Sequence, residues 1–253
     1  MSNEFEKTCG PTISSDVAYK EGTFAAWTRC NVYRESENGM FDNGGNLVFA
    51  VAPNILAPSI IETQCTFSEI GVSVEADMQL NSLEAPSYNV NQLTFTGYMG
   101  QSVTLPTINK IPIDAVVHAN LPILYGYDGD KLFGLINWSC ISNNVPFKQL
   151  RKNCPMDDVL RWAYRVYAVA SISGMHPTKS VADTFGIPLR TASYWVKSAK
   201  ERFAGSLKHE SRSLFDLNKH RFENYCDIDN EEARIASKQF IEATLKHSDG
   251  RNN

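Results

Sequence analysis

The chain has 253 residues, 43% hydrophobic and 21% charged, with 15 Gly and 11 Pro. These ordinary values exclude wholesale disorder, collagen-like repeats and low-complexity classes. A chain of this length fits one large domain or two modest ones and can bury enough surface to fold without disulfides or a structural metal. The formal charge of -4 conceals an asymmetry: residues 1–150 carry a net -8, residues 151–221 a net +7, and residues 222–253 a net -3. A basic block set between acidic ones raises the question of what it touches.

Six cysteines, at 9, 30, 65, 140, 154 and 226, form no Cys-x-x-Cys pair and no zinc-like spacing with histidine. Reduced thiols in a cytoplasmic protein are the expectation. The polar start Met1-Ser2-Asn3-Glu4 lacks the pattern of a secretory signal. The most apolar stretch, Leu47 to Ile61, is broken by Pro53, Asn54 and Pro58. It falls short of the ~20 residues a spanning helix needs, so no membrane association is expected.

Taken in chain order, Asn43-Gly44-Gly45-Asn46 reads as a turn leading into a buried strand, Leu47-Val48-Phe49-Ala50-Val51. Val72 to Leu80 alternates apolar and polar residues, the strongest strand signal in the chain, and Asn81-Ser82 follows as a turn. On that strand Glu75 and Asp77 share one face and read as the wet side of an edge strand. Leu93-Thr94-Phe95-Thr96 and Val103-Thr104-Leu105 repeat the alternation more briefly. Tyr127-Asp128-Gly129-Asp130 is a turn between two further strands, and Asp128 and Asp130 lack the other ligands of a calcium loop.

From Met156 the period becomes helical. Val159, Leu160, Ala163, Val166, Tyr167 and Ala170 form one stripe, Asp157 and Asp158 suit its first turn, and Ser173-Gly174 ends it. A last helix starts at Asp229 or Asn230, aligns Ala233, Ala236, Phe240 and Thr244, and closes at Ser248-Asp249-Gly250. The expected class is α+β: an acidic β-rich domain over 1–150, a helical DNA-binding domain over 151–221, and a C-terminal helix and tail over 222–253.

The informative run is Thr178 to Lys197. Thr178 can cap a short helix, with Val181 and Phe185 as its buried edge and Ala182 small where a second helix crosses. Gly186 suits a tight turn that needs positive φ, Ile187 plugs the angle, and Ala192, Trp195 and Val196 face inward from the second helix. This is the register of a helix-turn-helix. It leaves Leu189, Arg190, Ser193, Tyr194 and Lys197 on the outer side, and no acidic residue occurs from Leu189 to Lys200.

Arg190, Ser193, Tyr194 and Lys197 are therefore expected in the major groove of double-stranded DNA, with Leu189 at their edge. Thr178 and Lys179 are placed for phosphate contact at a helix start, and Lys200, Arg202, Lys208 and Arg212 for added charge.

Residues from about 156 to 205 resemble the helix-turn-helix segment of DNA-binding proteins of actinobacteria and their phages. The likeness rests on Pro177-Thr178, Val181-Ala182, Gly186, Thr191-Ala192, Trp195-Val196 and Ala199-Lys200-Glu201-Arg202. Ile108 to Val117, around Ile111-Pro112-Ile113, more weakly resembles a segment that precedes it. The resemblance implies DNA binding and transcriptional or mobile-element regulation. Pro188 and Leu189 depart from it, standing where a capping residue and a polar residue are usual.

Histidines 118, 176, 209, 220 and 247 fall in no metal or catalytic motif, and no phosphate-binding loop or nucleophile elbow occurs. The sequence displays no carboxylate cluster that would serve a nuclease. The expectation is a non-enzyme without cofactor or metal, acting as a homodimer, with a protein partner for the acidic domain. The rival reading is an assembly module whose helix-turn-helix binds protein and no DNA.

Overall fold

The computed structural model describes residues 6–19, 22–34, 47–81, 85–97, 100–113, 116, 123–207, 211–213 and 230–249. The turn expected at Asn43 to Asn46, the turn residue Ser82, the cap Asp229 and the stop at Gly250 lie outside them. The class is α+β, β-rich in its N-terminal part and helical after it.

Two antiparallel five-stranded sheets account for the strands. The first orders β1 (Glu6–Tyr19), β2 (Gly22–Arg34), β5 (Ile60–Phe67), β6 (Val72–Leu80) and β7 (Tyr88–Gly97). The second orders β10 (Ser211–Ser213), β3 (Leu47–Ala52), β4 (Ile55–Pro58), β8 (Leu124–Asp128) and β9 (Lys131–Ile136). The chain passes from β4 in one sheet to β5 in the other across buried Ser59, whose carbonyl accepts from the Leu80 amide at 2.7 Å.

The alternation in Val72 to Leu80 works as expected: Val72, Val74, Ala76 and Met78 are buried and Ser73, Glu75 and Asp77 half-buried. The edge position does not hold. β6 lies between β5 and β7, so Glu75 and Asp77 sit on an interior strand. Leu93 to Thr96 falls within β7.

Val103 to Leu105 forms no strand. A short helix α1 (Leu105–Ile108) begins at Leu105, because the Thr104 hydroxyl accepts from the Thr107 amide at 3.4 Å and Pro106 suits a first turn.

Two short helices, α2 (Trp138–Asn144) and α3 (Phe147–Asn153), precede the first helix that periodicity announces. That helix is α4 (Met156–Ile172), with Pro155 upstream and Asp157 and Asp158 in its first turn. It is buried on nearly every side rather than along one stripe: from Asp158 to Ala170 only Arg161 is more than marginally exposed. The reason is its central position, since α5 (Pro177–Phe185), α6 (Leu189–Leu207) and β3 all pack against it.

The last helix, α7 (Asn230–Asp249), covers β8 and β9 and inserts Phe240, which is fully buried, against Trp162 of α4 at 6.1 Å between ring centroids. The approach is close enough to require a glycine opposite it: a Cβ on Gly126 would lie 2.8 Å from Ile136 and 2.9 Å from Phe240. Buried residues from Phe24 to Ile241 form one continuous apolar core. No helix among the described residues is long and apolar enough to cross a membrane.

Candidate nucleic-acid interface

α5 starts two positions earlier than a Thr178 cap would have it. His176 is the N-cap, without a side-chain hydrogen bond, and Pro177 takes the first helical position, where its missing N–H costs nothing. Thr178 is therefore a half-buried residue of the first turn, beside exposed Lys179. The turn is as expected. Gly186 ends α5 at φ +61°, and the Ile187 amide donates back to the Ala182 carbonyl at 3.0 Å, a glycine-terminated helix end.

Val181, Ala182, Phe185 and Ile187 are buried there, and α6 turns Ala192, Trp195, Val196, Ala199, Phe203 and Leu207 inward. Phe185 meets Trp195 edge-on at 5.5 Å and Phe147 at 5.2 Å, which locks α5 between α6 and α3.

The outer side of α6 is open. Leu189 is 57% exposed and Tyr194 69% exposed, with Arg190, Ser193 and Lys197 exposed beside them. The Ser193 hydroxyl donates to the Leu189 carbonyl at 3.0 Å, and Lys197 lies 4.0 Å from Glu201, an exposed pair of little energetic weight.

Further along, the basic residues turn to the protein itself. The half-buried Lys200 ammonium donates to the Tyr167 hydroxyl at 2.9 Å and lies 4.3 Å from the centre of that ring. Arg202 pairs with Asp157 of α4. Lys208 is outside the described residues, and Arg212 falls in β10, where it pairs with Val48 of β3.

Sequence reasoning missed a second basic group. α3 carries exposed Lys148, Arg151 and Lys152, and the Arg151 guanidinium donates to the Gly186 carbonyl at 3.3 Å. A Cβ on Gly186 would meet the Lys148 side chain at 3.4 Å. Lys148 and Arg151 thus flank the turn that leads into α6, with Lys152 next to them on α3. Their spacing of three and four residues on one helical face was the available signal.

On the other sheet, Glu62 of β5 joins Glu75 and Asp77 of β6. Cross-strand register sets Glu62 opposite Asp77, and one oxygen from each of the three carboxylates lies within 4.8 Å of the others. Glu62 is fully buried. Sequence alone sets Glu75 and Asp77 on one face and displays no larger carboxylate cluster; that reading is corrected here, because the pairing of β5 with β6 adds Glu62 to the two. Such a trio could ligate a cation, and no further feature among the described residues points to one.

Comparison with known protein families, curated proteins and solved structures finds no match for this chain.

Proposed function

We propose that the chain is a DNA-binding regulator, transcriptional or of a mobile element, that reads the major groove with the outer side of α6. The observation that carries this reading is an exposed surface of Leu189, Arg190, Ser193, Tyr194 and Lys197, with no acidic residue from Leu189 to Lys200 and with Lys148 and Arg151 at the turn. Arg190 and Lys197 have the reach and charge for base edges or phosphates, Ser193 and Tyr194 can donate, and Leu189 suits a thymine methyl. Lys179, with Thr178 beside it at the start of α5, contacts backbone phosphate, and the cations of α3 extend that contact. In this reading Lys200 and Arg202 act mainly by fixing α6 to α4, and any phosphate contact they make is secondary.

Two copies reading half-sites about 34–36 Å apart would follow the usual geometry of such modules. The acidic N-terminal part is turned from the duplex and serves a protein partner. The protein works in the cytoplasm, with no cofactor or metal and no catalysed reaction.

A second reading is favoured by the two exposed apolar side chains, Leu189 and Tyr194, which would equally suit a groove on another protein. Titration separates the two. A genomic pull-down supplies a preferred duplex, and affinity for it and for random DNA is measured across salt. Affinity should fall steeply with salt. Arg190→Ala should cost ~1–3 kcal/mol on the preferred duplex alone, and Lys179→Ala should weaken both duplexes alike. Binding indifferent to salt, or none at all, gives the surface to a protein partner.

A further inference from the structure

A half-open cavity of about 240 Å³ lies between α4, α7, the β3–β4 turn and the β8–β9 hairpin, apart from the outer side of α6. It is smaller than the roughly 300–1,000 Å³ of pockets for drug-sized ligands, so its occupant is metabolite-sized. Its wall carries charge of both signs: Asp158, Arg161 and Arg165 on successive turns of α4, and Asp128 at the end of β8.

Arg161, Arg165 and Asp158 form no ion pair with one another. Arg165 is 2% exposed and donates to the Pro53 carbonyl at 2.8 Å and to the Asn54 side-chain oxygen at 2.6 Å. Those two bonds leave guanidinium N–H groups over, and Arg165 forms no ion pair among the described residues. Burial, with Arg161 adding repulsion, pushes Arg165 down to about 9 despite Asp158, Tyr127 and Asp128.

Arg161 makes no hydrogen bond or ion pair among the described residues; its guanidinium lies over the Phe203 ring of α6 at 4.7 Å. The carboxylate of Asp158, 8% exposed, likewise has no such partner among them. Trp162, also in the wall, has a buried indole N–H without an acceptor among the described residues. A buried N–H is seldom left so, and with the Arg161 guanidinium and the Asp158 carboxylate beside it free of hydrogen bonds and ion pairs among the described residues, the cavity offers complementary groups to a ligand.

We propose that this cavity binds a small zwitterion of the α-amino-acid class, its carboxylate held by Arg161 and Arg165 and its ammonium by Asp158. A simple anion would add negative charge beside Asp158 and Asp128, and a simple cation would face two guanidinium groups. A zwitterion answers both and leaves the sum of charge unchanged. Drawing Arg161 to the ligand also alters its contact with Phe203. This consequence for α6 rests on the DNA-binding reading, whereas the binding site itself does not.

The test uses the full chain without DNA. The indole N–H resonances of Trp27, Trp138, Trp162 and Trp195 are recorded by two-dimensional NMR, and Trp162→Phe assigns the one of interest. The twenty common L-amino acids are titrated singly. For each one that shifts the resonance, the analogue lacking the amine and the analogue lacking the carboxylate are titrated too.

At least one amino acid should shift the Trp162 signal, with both analogues at least tenfold weaker. Arg161→Gln, on the more exposed arginine, should weaken binding at least tenfold while the thermal transition holds. Asp158→Asn is the matching variant for the ammonium. No shift with any of the twenty overturns the proposal. So do analogues that bind as well as the parent, or an Arg161→Gln protein that binds unchanged. Loss of DNA binding in a separate assay would leave these results standing.

Discussion

Cys65 has no exposed surface on β5, and burial pushes its thiol up to about 12 from an ordinary 9.0. A raised value in the folded state means that folding disfavours the thiolate. The contribution of this group to stability is therefore whole below pH 9 and declines as pH rises from 9 toward 12, at up to ~1.4 kcal/mol per pH unit. Other groups titrate in that window, so the comparison must be with Cys65→Ala, which lacks the thiol. Urea midpoints at pH 8, 9 and 10 should converge, the wild type losing stability faster than the variant; parallel curves would refute the assignment. A similar lesson holds for Lys197 and Lys200. Three positions apart on one helix, they read alike as residues, yet one is exposed and the other reaches Tyr167. Helical rotation of ~100° per residue carries Lys200 toward the α4 side, and only the packing of α6 on α4 reveals that there is an aromatic hydroxyl to meet it.

The turn between α5 and α6 and the later part of α6 each hold a glycine, with opposite expectations. Gly186 holds φ +61°, and the space for a Cβ is limited only by the flexible end of Lys148 at 3.4 Å. Gly186→Ala should thus cost ~1–2 kcal/mol through backbone strain alone. Gly205, within α6, has an ordinary φ and none of the described residues within 4 Å of a Cβ, so Gly205→Ala should gain ~0.5–1 kcal/mol. Denaturant unfolding of the two variants checks both signs, and a stabilised Gly186→Ala would mean that the turn is not as described. This part of the fold was legible because its signals are local: a glycine, a plug and apolar residues at helical spacing lie within twenty positions. Where the determinants are distant, legibility ended. A stripe on α4 announces one buried face, but nothing in the stripe says that β3 and α7 also cover the helix. β10 pairs with β3 across some 160 residues, and Glu62 meets Asp77 only because β5 pairs with β6. At Val103 to Leu105 a two-residue alternation was too short to outweigh the Thr104 cap and Pro106.

At the scale of the molecule, a relay of ring contacts ties the helix-turn-helix to the sheet beneath it. Trp195 touches Phe185, Phe185 touches Phe147, Phe147 touches Trp162 at 5.7 Å, and Trp162 touches Phe240, which meets Phe133 of β9 at 6.3 Å. Phe240 is the member farthest along the chain, 45 positions past Trp195, and it enters from α7. Its removal should be felt at both ends of the relay. Phe240→Ala deletes a fully buried ring and should cost ~3–5 kcal/mol, a large part of the ~5–15 kcal/mol that holds a typical domain. If α4 to α6 drew their stability from their own contacts alone, this loss would appear only in signals from α7, β8 and β9, and the Trp195 indole resonance would keep its wild-type midpoint. A shared core predicts otherwise. The Trp195 resonance, far-UV circular dichroism and near-UV absorbance should report one coincident transition in the wild type, and all three should shift by the same amount in Phe240→Ala. A Trp195 midpoint that stayed in place while the others moved would show that the helix-turn-helix stands free of the sheet, and the stability of the proposed reading helix would then have to be sought within α4, α5 and α6.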